Sequence, residues 1–476
     1  YGVVLDAGST HTDLMVYRWL RKDVIQQTGL VEQIGQCTSK GGSISSYSTT
    51  DPNQAGSSFQ SCIDGTAKKL IPSYLHSKSP IYLGATAGMR LIEKVNREIA
   101  RTIMRSVRQT LYNSNFMFED HYARIISGVE EGLSSWVTVN YLKGKLLYRE
   151  ILSNSSKGSN AHLLGALDMG GASTQITFIP SDNIIMPSMS VQRLRLYGRT
   201  YQLYTHSYLC YGKKEAERKF IASLVSDWLA DGPTTPIVDN PCAPIGLIQN
   251  VSIKYITQLP CVKEPSSGWH FNGSYVTVSG SSNISQCMAV VKRLFDFSQC
   301  PSPSNCSFNG VYQPPTKGLQ FVAFSSYYYL IHDLNVSSNA TLRKFKQTAD
   351  SFCRMTWSKI IQGKSPSKAQ VLKTVCFDAQ YIYAILTQAY HINDSTTQIQ
   401  FTNMMRGRSL GWALGFMINS TNLIPNEEPE YRVKTEAFLA VVIVGAILIS
   451  LGILLTVMST RRVIDRWKLT NTGLST

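Results

Sequence analysis

At 476 residues the chain is too long to fold around one hydrophobic core, and we expect two lobes. Its formal net charge of +15 comes from basic residues that are scattered along the chain and form no dense block. We therefore expect no nucleic-acid partner and interpret the charge as a solvated surface that weakly attracts anionic substrates.

The first predicted element is a β-hairpin at the start of the chain. Apolar residues 2–5 lead into residues 6–12 (DAGSTHT), and a β-prone run follows at residues 14–17. Glycine lets backbone N–H groups approach a phosphate, and hydroxyl groups add donors. Asp6 at the head of the turn is suited to hold a hydrated divalent metal ion. The residues expected to contact phosphate are Ser9, Thr10 and His11.

A second glycine-containing turn follows a short predicted strand at residues 80–83. Residues 84–90 (GATAGMR) form this turn, and one long amphipathic helix is predicted from about residue 92 to residue 112. The turn offers similar donors and ends in an arginine that can neutralise charge or brace a neighbour. The residues expected to bind phosphate here are Thr86, Ala87, Gly88 and Arg90.

The next segment holds a carboxylate that could activate water. We predict a strand at residues 123–126, a turn at 127–132 and a helix at 133–142. Hydrolysis of a phosphoanhydride needs such a base in the cleft. Glu130 and Glu131 are adjacent, so only one can face inward. Glu131 could instead only satisfy amides of the first helical turn.

The hairpin pattern occurs a second time, between apolar residues 163–167 and the β-prone residues 176–179. The turn, residues 168–175, reads DMGGASTQ. One such turn is a weak signal because its composition is common. Two of them in matching strand context predict facing turns that clamp a polyphosphate–metal complex, with Asp168 as the second metal carboxylate. The residues expected to wrap the phosphates are Gly170, Gly171, Ala172 and Ser173.

Residues 210–310 differ in composition from the rest of the chain. They hold six of the ten cysteines, four Asn-X-Ser/Thr sequences and many Pro, Ser and Gly residues. We therefore predict a loop-rich, disulfide-stapled insertion. The even number of cysteines and the lack of a Cys-X-X-Cys pair favour disulfides over zinc, while the sequence alone leaves their connectivity open.

Residues 437–458 form an uncharged apolar run long enough to span a bilayer. Acidic residues precede this run and basic residues follow it, so the positive-inside bias places residues 459–476 in the cytoplasm and residues 1–436 outside the cell. The glycosylation sequences agree with this orientation. Because the chain begins without Met, we expect a signal sequence or a first membrane helix before it. The acceptor asparagines are Asn154, Asn250, Asn272, Asn283, Asn305, Asn335, Asn339, Asn393 and Asn419.

Five segments, in order and at suitable spacing, resemble the five apyrase regions of the ecto-nucleoside triphosphate diphosphohydrolase family. They are residues 6–12, 84–90, 126–142, 167–178 and 321–330. The resemblance covers residues 1–436 and implies an α/β fold with two ribonuclease-H-like (actin-like) lobes around a central nucleotide cleft. It also includes the C-terminal transmembrane helix. The implied lobes are residues 1–126 with a return segment at about 403–435, and residues 127–402.

The resemblance also implies an activity. This is metal-dependent, extracellular hydrolysis of ATP, ADP, UTP and UDP to monophosphates and phosphate, which controls purinergic signalling at the plasma membrane. Ca²⁺ or Mg²⁺ is the implied cofactor, held through water by Asp6 and Asp168. The family places the general base immediately before a glycine, which is Glu131 here, and Ser173 and Gln175 would orient the attacking water.

Further roles follow from the same resemblance. Tyr329 resembles a tyrosine that stacks on the nucleobase, although a tyrosine run can also simply pack the lobe. Lys213 is the implied base or ribose contact at a position where the family usually has arginine. Trp412 resembles a tryptophan that packs near the phosphate hairpins, or it is only a core anchor. Ser135 stands where glycine is usual, and we expect only a small local adjustment there.

The family further implies homo-oligomers formed through the membrane helices, and a set of disulfides. Two alternatives stay open. Sugar and acetate kinases share the fold but are mostly cytosolic, and a nucleotide-binding ectodomain could have lost catalysis. The implied disulfides are Cys37–Cys62, Cys210–Cys261, Cys242–Cys287, Cys300–Cys306 and Cys353–Cys376.

Overall fold

The computed structural model describes residues 1–19, 30–146, 163–181, 184–196, 199–232, 236–264, 268–269, 273–300, 305–394, 397–421 and 435–471. The loop predicted at residues 154–160, the acceptor asparagines Asn154 and Asn272, and residues 422–434 of the predicted return segment lie outside the described residues.

The strands form two principal sheets. The first has the order β3-β2-β1-β4-β5, and the second has the order β14-β13-β6-β7-β9-β8. The strands are β1 (Gly2–Ala7), β2 (Thr12–Trp19), β3 (Val31–Thr38), β4 (Ile81–Ala85), β5 (Ala123–Ile125), β6 (Gly165–Met169), β7 (Ser173–Phe178), β8 (Gln192–Leu196), β9 (Arg199–Leu209), β10 (Ile237–Asn240), β11 (Ile248–Ser252), β12 (Tyr275–Gly280), β13 (Gln320–Ser325), β14 (Gln398–Phe401), β15 (Met404–Met405) and β16 (Arg408–Ser409).

Strand directions repeat between the two sheets. In the first, β1 pairs antiparallel with β2 and parallel with β4. In the second, β6 pairs antiparallel with β7 and parallel with β13. Each predicted hairpin therefore lies at the centre of its own sheet. The α/β class and both hairpins are confirmed, whereas the lobe boundaries stay a prediction.

The described residues form fifteen α-helices. They are α1 (Gln60–Cys62), α2 (Lys68–Leu70), α3 (Ala87–Val95), α4 (Arg97–Tyr112), α5 (Gly128–Leu142), α6 (Lys213–Ala230), α7 (Ile253–Ile256), α8 (Ile284–Lys292), α9 (Ser326–Asp333), α10 (Leu342–Cys353), α11 (Trp357–Ile361), α12 (Pro366–Leu372), α13 (Val375–Ala384), α14 (Trp412–Thr421) and α15 (Thr435–Asn471).

Three sequence-based predictions about these elements were wrong. The single helix predicted at residues 92–112 is two helices, because the Asn96 side chain accepts hydrogen bonds from two amides and starts α4. Helix α5 begins at Gly128 instead of residue 133, because Ser127 and Glu130 form a capping box. The segment 210–310 contains the 18-residue helix α6 and the sheet β10-β12-β11 and is less loop-rich than expected.

Alternating side chains of the strands divide the core into three clusters. Val3 and Leu5 of β1 belong to a cluster on one face of the first sheet, whereas Val4 between them belongs to a shared cluster. Likewise, Leu167 of β6 belongs to a separate cluster of the second sheet, and Ala166 joins the shared one. Helices α5 and α14 contribute ten buried residues to the shared cluster, which also holds residues of both sheets, so they pack between the inner faces of the sheets.

Disulfides and the C-terminal helix agree with the sequence-based predictions. All five implied disulfides are present, so that connectivity is confirmed. Among the described residues, one helix, Ala437–Lys468, is long and apolar enough to cross a membrane, by length and composition. Residues Tyr1–Leu423 belong to one compact unit, and this helix belongs to a second.

The crossing of α5 and α14 gives a stability prediction. The amide of Gly415 donates to Thr138 Oγ1 at 2.8 Å, and a Cβ at Gly415 would overlap the carbonyl oxygen of Ser134. We expect Gly415→Ala to lower the free energy of unfolding by about 2 kcal/mol, because the helices must separate. Gly65→Ala is the matched control, since a Cβ there meets no atom within 4 Å. Equal denaturation midpoints for both variants would contradict the prediction.

Candidate active site

Three turns from distant parts of the sequence meet at Ser9. A Cβ placed on Gly171 of the second hairpin would lie 2.7 Å from Ser9 Oγ. A Cβ on Gly88, at the start of α3, would lie 2.9 Å from Ser9 Cα. Both distances are shorter than side chains tolerate, so only glycine allows this approach. The two hairpins and the 84–90 turn therefore form one site, as predicted.

Strand register explains how the first two turns become neighbours. The parallel pairing of β1 with β4 places Asp6 opposite Gly84, and the amide of Thr86 donates to the carbonyl of Ala7 at 3.1 Å. The ring of Trp412, at the start of α14, packs against Gly84. Trp412 therefore lies beside the first hairpin, as the resemblance implied.

The second hairpin is fastened by the start of α6. The amides of Lys213 and Lys214 each donate, at 2.9 Å, to the carbonyls of Gly170 and Gly171 respectively. A Cβ at Gly212 would overlap the amide nitrogen of Ser173, so glycine is required there as well. Sequence reasoning missed Gly212, although a glycine directly before a helix is a common N-cap.

Capping of α5 decides which of its two glutamates faces the cleft. Glu130 accepts from the Ser127 amide and forms an ion pair with Arg124 at 2.6 Å, which holds its side chain away. Glu131 is buried and accepts from Arg90 Nη2 at 2.7 Å. Glu131 lines the cleft, in agreement with the base position that the family implies.

A hydrogen-bond network connects Glu131 with the second hairpin. Arg90 Nη2 also donates to Ser173 Oγ at 3.1 Å, and Gln175 Nε2 donates to the same oxygen at 2.9 Å. Because Ser173 Oγ accepts two hydrogen bonds, its own proton is available for a group in the cleft. Gln175 Nε2 also donates to Ser207 Oγ of β9 at 3.0 Å, a partner that sequence reasoning missed.

Three carboxyl groups share this small volume. Burial raises the pKa of Asp6 to about 8, and repulsion from Glu131, Asp13 and Asp168 adds to the rise. The side chain of Trp412 lowers the pKa of Asp6, although its indole N–H has no hydrogen-bond partner within reach among the described residues. Burial, followed by repulsion from Glu131, raises the pKa of Asp168 to about 7.

The pKa of Glu131 is raised by burial and lowered in part by the Arg90 charge. Glu131 and Arg90 form the one ion pair within this group of carboxyls, among the described residues. The site therefore has an excess of negative potential that a bound cation would relieve.

The donor set fits a hard divalent cation. Asp6 Oδ1 is buried without a hydrogen-bond partner, and Asp168 lies on the opposite hairpin. Oxygen donors suit Ca²⁺ and Mg²⁺. Within the part of the chain that the structure describes, no three His, Cys, Asp or Glu side chains converge closely enough to hold a metal directly.

Two serines beside Asp168 were not assigned a role from the sequence. Ser135 Oγ donates to Asp168 Oδ2 at 3.4 Å, so its position has more than the small local effect that we expected. Ser325, at the end of β13, lowers the pKa of Asp168 and has φ +57°, in the left-handed region. Ser325 lies within residues 321–330, the fifth segment of the resemblance, and its place in that segment is the sequence signal that could have identified it.

The residues expected to bind the base also line the cleft. Tyr329 is 55 % exposed, and its hydroxyl accepts from Asn403 Nδ2 at 3.0 Å. Lys213 Nζ pairs with Asp378 Oδ2 at 2.9 Å, so its charge is already matched. The cleft encloses about 590 Å³, and both residues line it together with the two hairpin turns.

Three of the predicted site residues do not line the cleft. Arg90, Gly88 and Gln175 are not among the described residues that line the cleft. Arg90 braces Glu131 and Ser173, which is the second of the two roles that we expected for it. His11 contacts Thr10 Oγ1 at 2.8 Å and Asp13 at 3.2 Å, and it also lines the cleft. The predicted residues that line the cleft are Asp6, Ser9, Thr10, His11, Thr86, Ala87, Glu131, Asp168, Gly170, Gly171, Ala172, Ser173, Lys213, Tyr329 and Trp412.

Known proteins are similar to this chain over most of its length. The chain is 38% identical over 461 residues to ectonucleoside triphosphate diphosphohydrolase 8 of Mus musculus, covering 95% of this chain and 89% of the relative. It is 36% identical over 437 residues to ectonucleoside triphosphate diphosphohydrolase 3 of Homo sapiens, covering 92% and 81%.

A comparison with solved structures agrees with these sequence similarities. A nucleoside triphosphate hydrolase of Neospora caninum superposes with a TM-score of 0.58 at 15% identity, over 88% of this chain and 92% of the other, which supports the fold alone. Residues 1–436 match the GDA1/CD39 (nucleoside phosphatase) family. Together with the site, this match shows that the chain belongs to the GDA1/CD39 family of nucleoside phosphatases.

Proposed function

We propose that this protein hydrolyses nucleoside triphosphates and diphosphates to monophosphates and phosphate. The observation that supports this most directly is the place of Glu131, a buried carboxyl in the cleft wall beside two facing phosphate-type turns. The relatives named above are ectonucleoside triphosphate diphosphohydrolases, in agreement with this reaction.

Water is the proposed nucleophile, and Glu131 is its general base. The carboxylate takes a proton as the water oxygen attacks the terminal phosphorus, and the bond to the bridging oxygen breaks. Arg90 keeps part of the Glu131 population ionised. The hydroxyl group of Ser173 would donate a hydrogen bond to the water or to a phosphate oxygen and so orient it. Gln175 holds the Ser173 hydroxyl in place.

Backbone amides of the facing turns would hold the phosphates. The amide of Gly170 already donates to the Ser173 carbonyl at 3.0 Å, so the donors would come from the turns at Gly171 and Ser9, without a further charge. Asp6 and Asp168 would hold Ca²⁺ or Mg²⁺ through water. When bound, the cation neutralises charge on the phosphate oxygens. Tyr329 would stack on the base, with Lys213 near it.

We also propose a location. The five disulfides fit an oxidising compartment, and the C-terminal helix fits a membrane anchor. Residues 1–436 would face the outside of the cell, where the enzyme would limit extracellular nucleotide signals. The tail would lie in the cytoplasm. Homo-oligomers formed through the membrane helices stay a prediction.

The first test removes the proposed base. We expect Glu131→Gln to lower kcat for ATP and ADP by about a hundredfold or more, because the amide cannot accept the proton of the attacking water. Glu130→Gln is the matched control and should keep near-normal kcat, since Glu130 faces Arg124. No phosphate release by the folded wild type would instead favour a catalytically silent nucleotide-binding ectodomain.

The second test concerns pH. Glu131 acts as a carboxylate, and removing the Arg90 charge raises its pKa further. The acidic limb of kcat/KM should therefore move to higher pH in Arg90→Met, while Arg124→Met should leave the limb in place. A uniform loss of rate without any shift of the limb would show that Arg90 acts on the phosphate instead.

The third test concerns the metal. Asp168→Asn removes one of the mutually repelling carboxyls, so we expect a higher Tm than the wild type in the presence of chelator. The same variant should lose most of the Tm increase that Ca²⁺ causes in the wild type, and it should need more Ca²⁺ for activity. Asp239→Asn, far from the cleft in β10, is the control. An undiminished Ca²⁺-induced increase would contradict this role of Asp168.

A further inference from the structure

Glu217 is a carboxylate in the cleft that has no part in the proposed chemistry. It lies on α6, one helical turn after Lys213, and lines the cleft together with Tyr329 and Thr374. Its side chain is partly buried. Tyr329 is the residue proposed to stack on the base, and Glu217 lines the same cleft, so we assign Glu217 to the region where a nucleobase would lie.

The cations around Glu217 are largely matched by other groups. Lys213 pairs with the buried Asp378 at 2.9 Å, and Arg218 pairs with Glu215 at 2.9 Å. Within the described residues, the Glu217 carboxyl has neither a hydrogen bond nor an ion pair. Lys214 is exposed and also lines the cleft. Glu217 thus offers unused acceptor oxygens to a ligand.

The surroundings of Glu217 make a donor from the ligand valuable. Burial, with repulsion from Asp378 as the next cause, raises the pKa of Glu217 to about 7. A carboxyl group that has lost water without gaining a partner is destabilised. A ligand N–H directed at this group would restore a charge-assisted hydrogen bond.

We propose that Glu217 reads the nucleobase by accepting a hydrogen bond from its exocyclic amino group. Adenine, cytosine and guanine carry such a group. Uracil carries carbonyl oxygens at the corresponding edge, and these would face the carboxylate as a second acceptor. This inference rests on the proposed nucleotide site and adds base selectivity to it. Glu217 would then disfavour uridine nucleotides without contacting the phosphates.

CTP and UTP provide the sharpest comparison, because both are pyrimidine nucleotides that stack similarly. In the wild type, we expect kcat/KM for CTP to exceed that for UTP by roughly tenfold. The ratio should fall to about one in Glu217→Leu, whereas it should fall or reverse in Glu217→Gln, whose amide can donate to the uracil O4 atom. Glu119→Gln, an exposed carboxyl remote from the cleft, should keep the wild-type ratio.

Inorganic triphosphate separates base reading from a general charge effect. If Glu217 only repels anions, both variants should gain rate on triphosphate, CTP and UTP alike, and the CTP-to-UTP ratio should not change. That result, or a ratio near one in the wild type, would overturn the proposal.

Binding can be measured without catalysis. CMP should raise the Tm of the wild type more than UMP does, and Glu217→Leu should abolish the difference. A wild type that binds CMP preferentially but releases no phosphate would contradict the proposed hydrolysis and keep the base contact. Equal Tm shifts by CMP and UMP in the wild type would overturn the base contact.

Discussion

The burial of three carboxyl groups at one point is the constraint on which the active site depends. Burial raises the pKa of all three; Glu131 adds to the rise at Asp6 and Asp168, and among the described residues the one ion pair to these three carboxyls comes from Arg90. A free polyphosphate would add more negative charge to this region. A metal–nucleotide complex carries its own positive charge, so the electrostatics favour entry of the complex over entry of the bare anion.

Most positive side chains near the cleft already contact other groups of the protein. Arg90 binds Glu131 and Ser173, and Lys213 binds Asp378. In the proposed mechanism, neutral backbone amides of the turns at Gly171 and Ser9 would instead bind the phosphate groups, while Glu131 would act on the water.

The local parts of this design could be predicted from the sequence. Both Asp-headed hairpins are short, contiguous patterns, and Glu131 directly precedes a glycine. Long-range partners could not be predicted, because the network of Arg90 and Ser207 joins residues far apart in the chain. The break at Asn96 was missed for a different reason: apolar periodicity continues through it, and only the capping geometry ends one helix and starts the next.

Helices α5 and α14 connect the first hairpin, which holds Asp6, with the proposed general base, Glu131. Trp412 begins α14 beside Asp6, while Glu131 lies in the first turn of α5. The two helices touch through backbone at Gly415, where no side chain separates them. Such a contact has little freedom to slide, because main-chain atoms cannot change rotamer as side chains do. The spacing between Asp6, the proposed metal carboxylate of the first hairpin, and Glu131, the proposed general base, is therefore constrained by this glycine crossing.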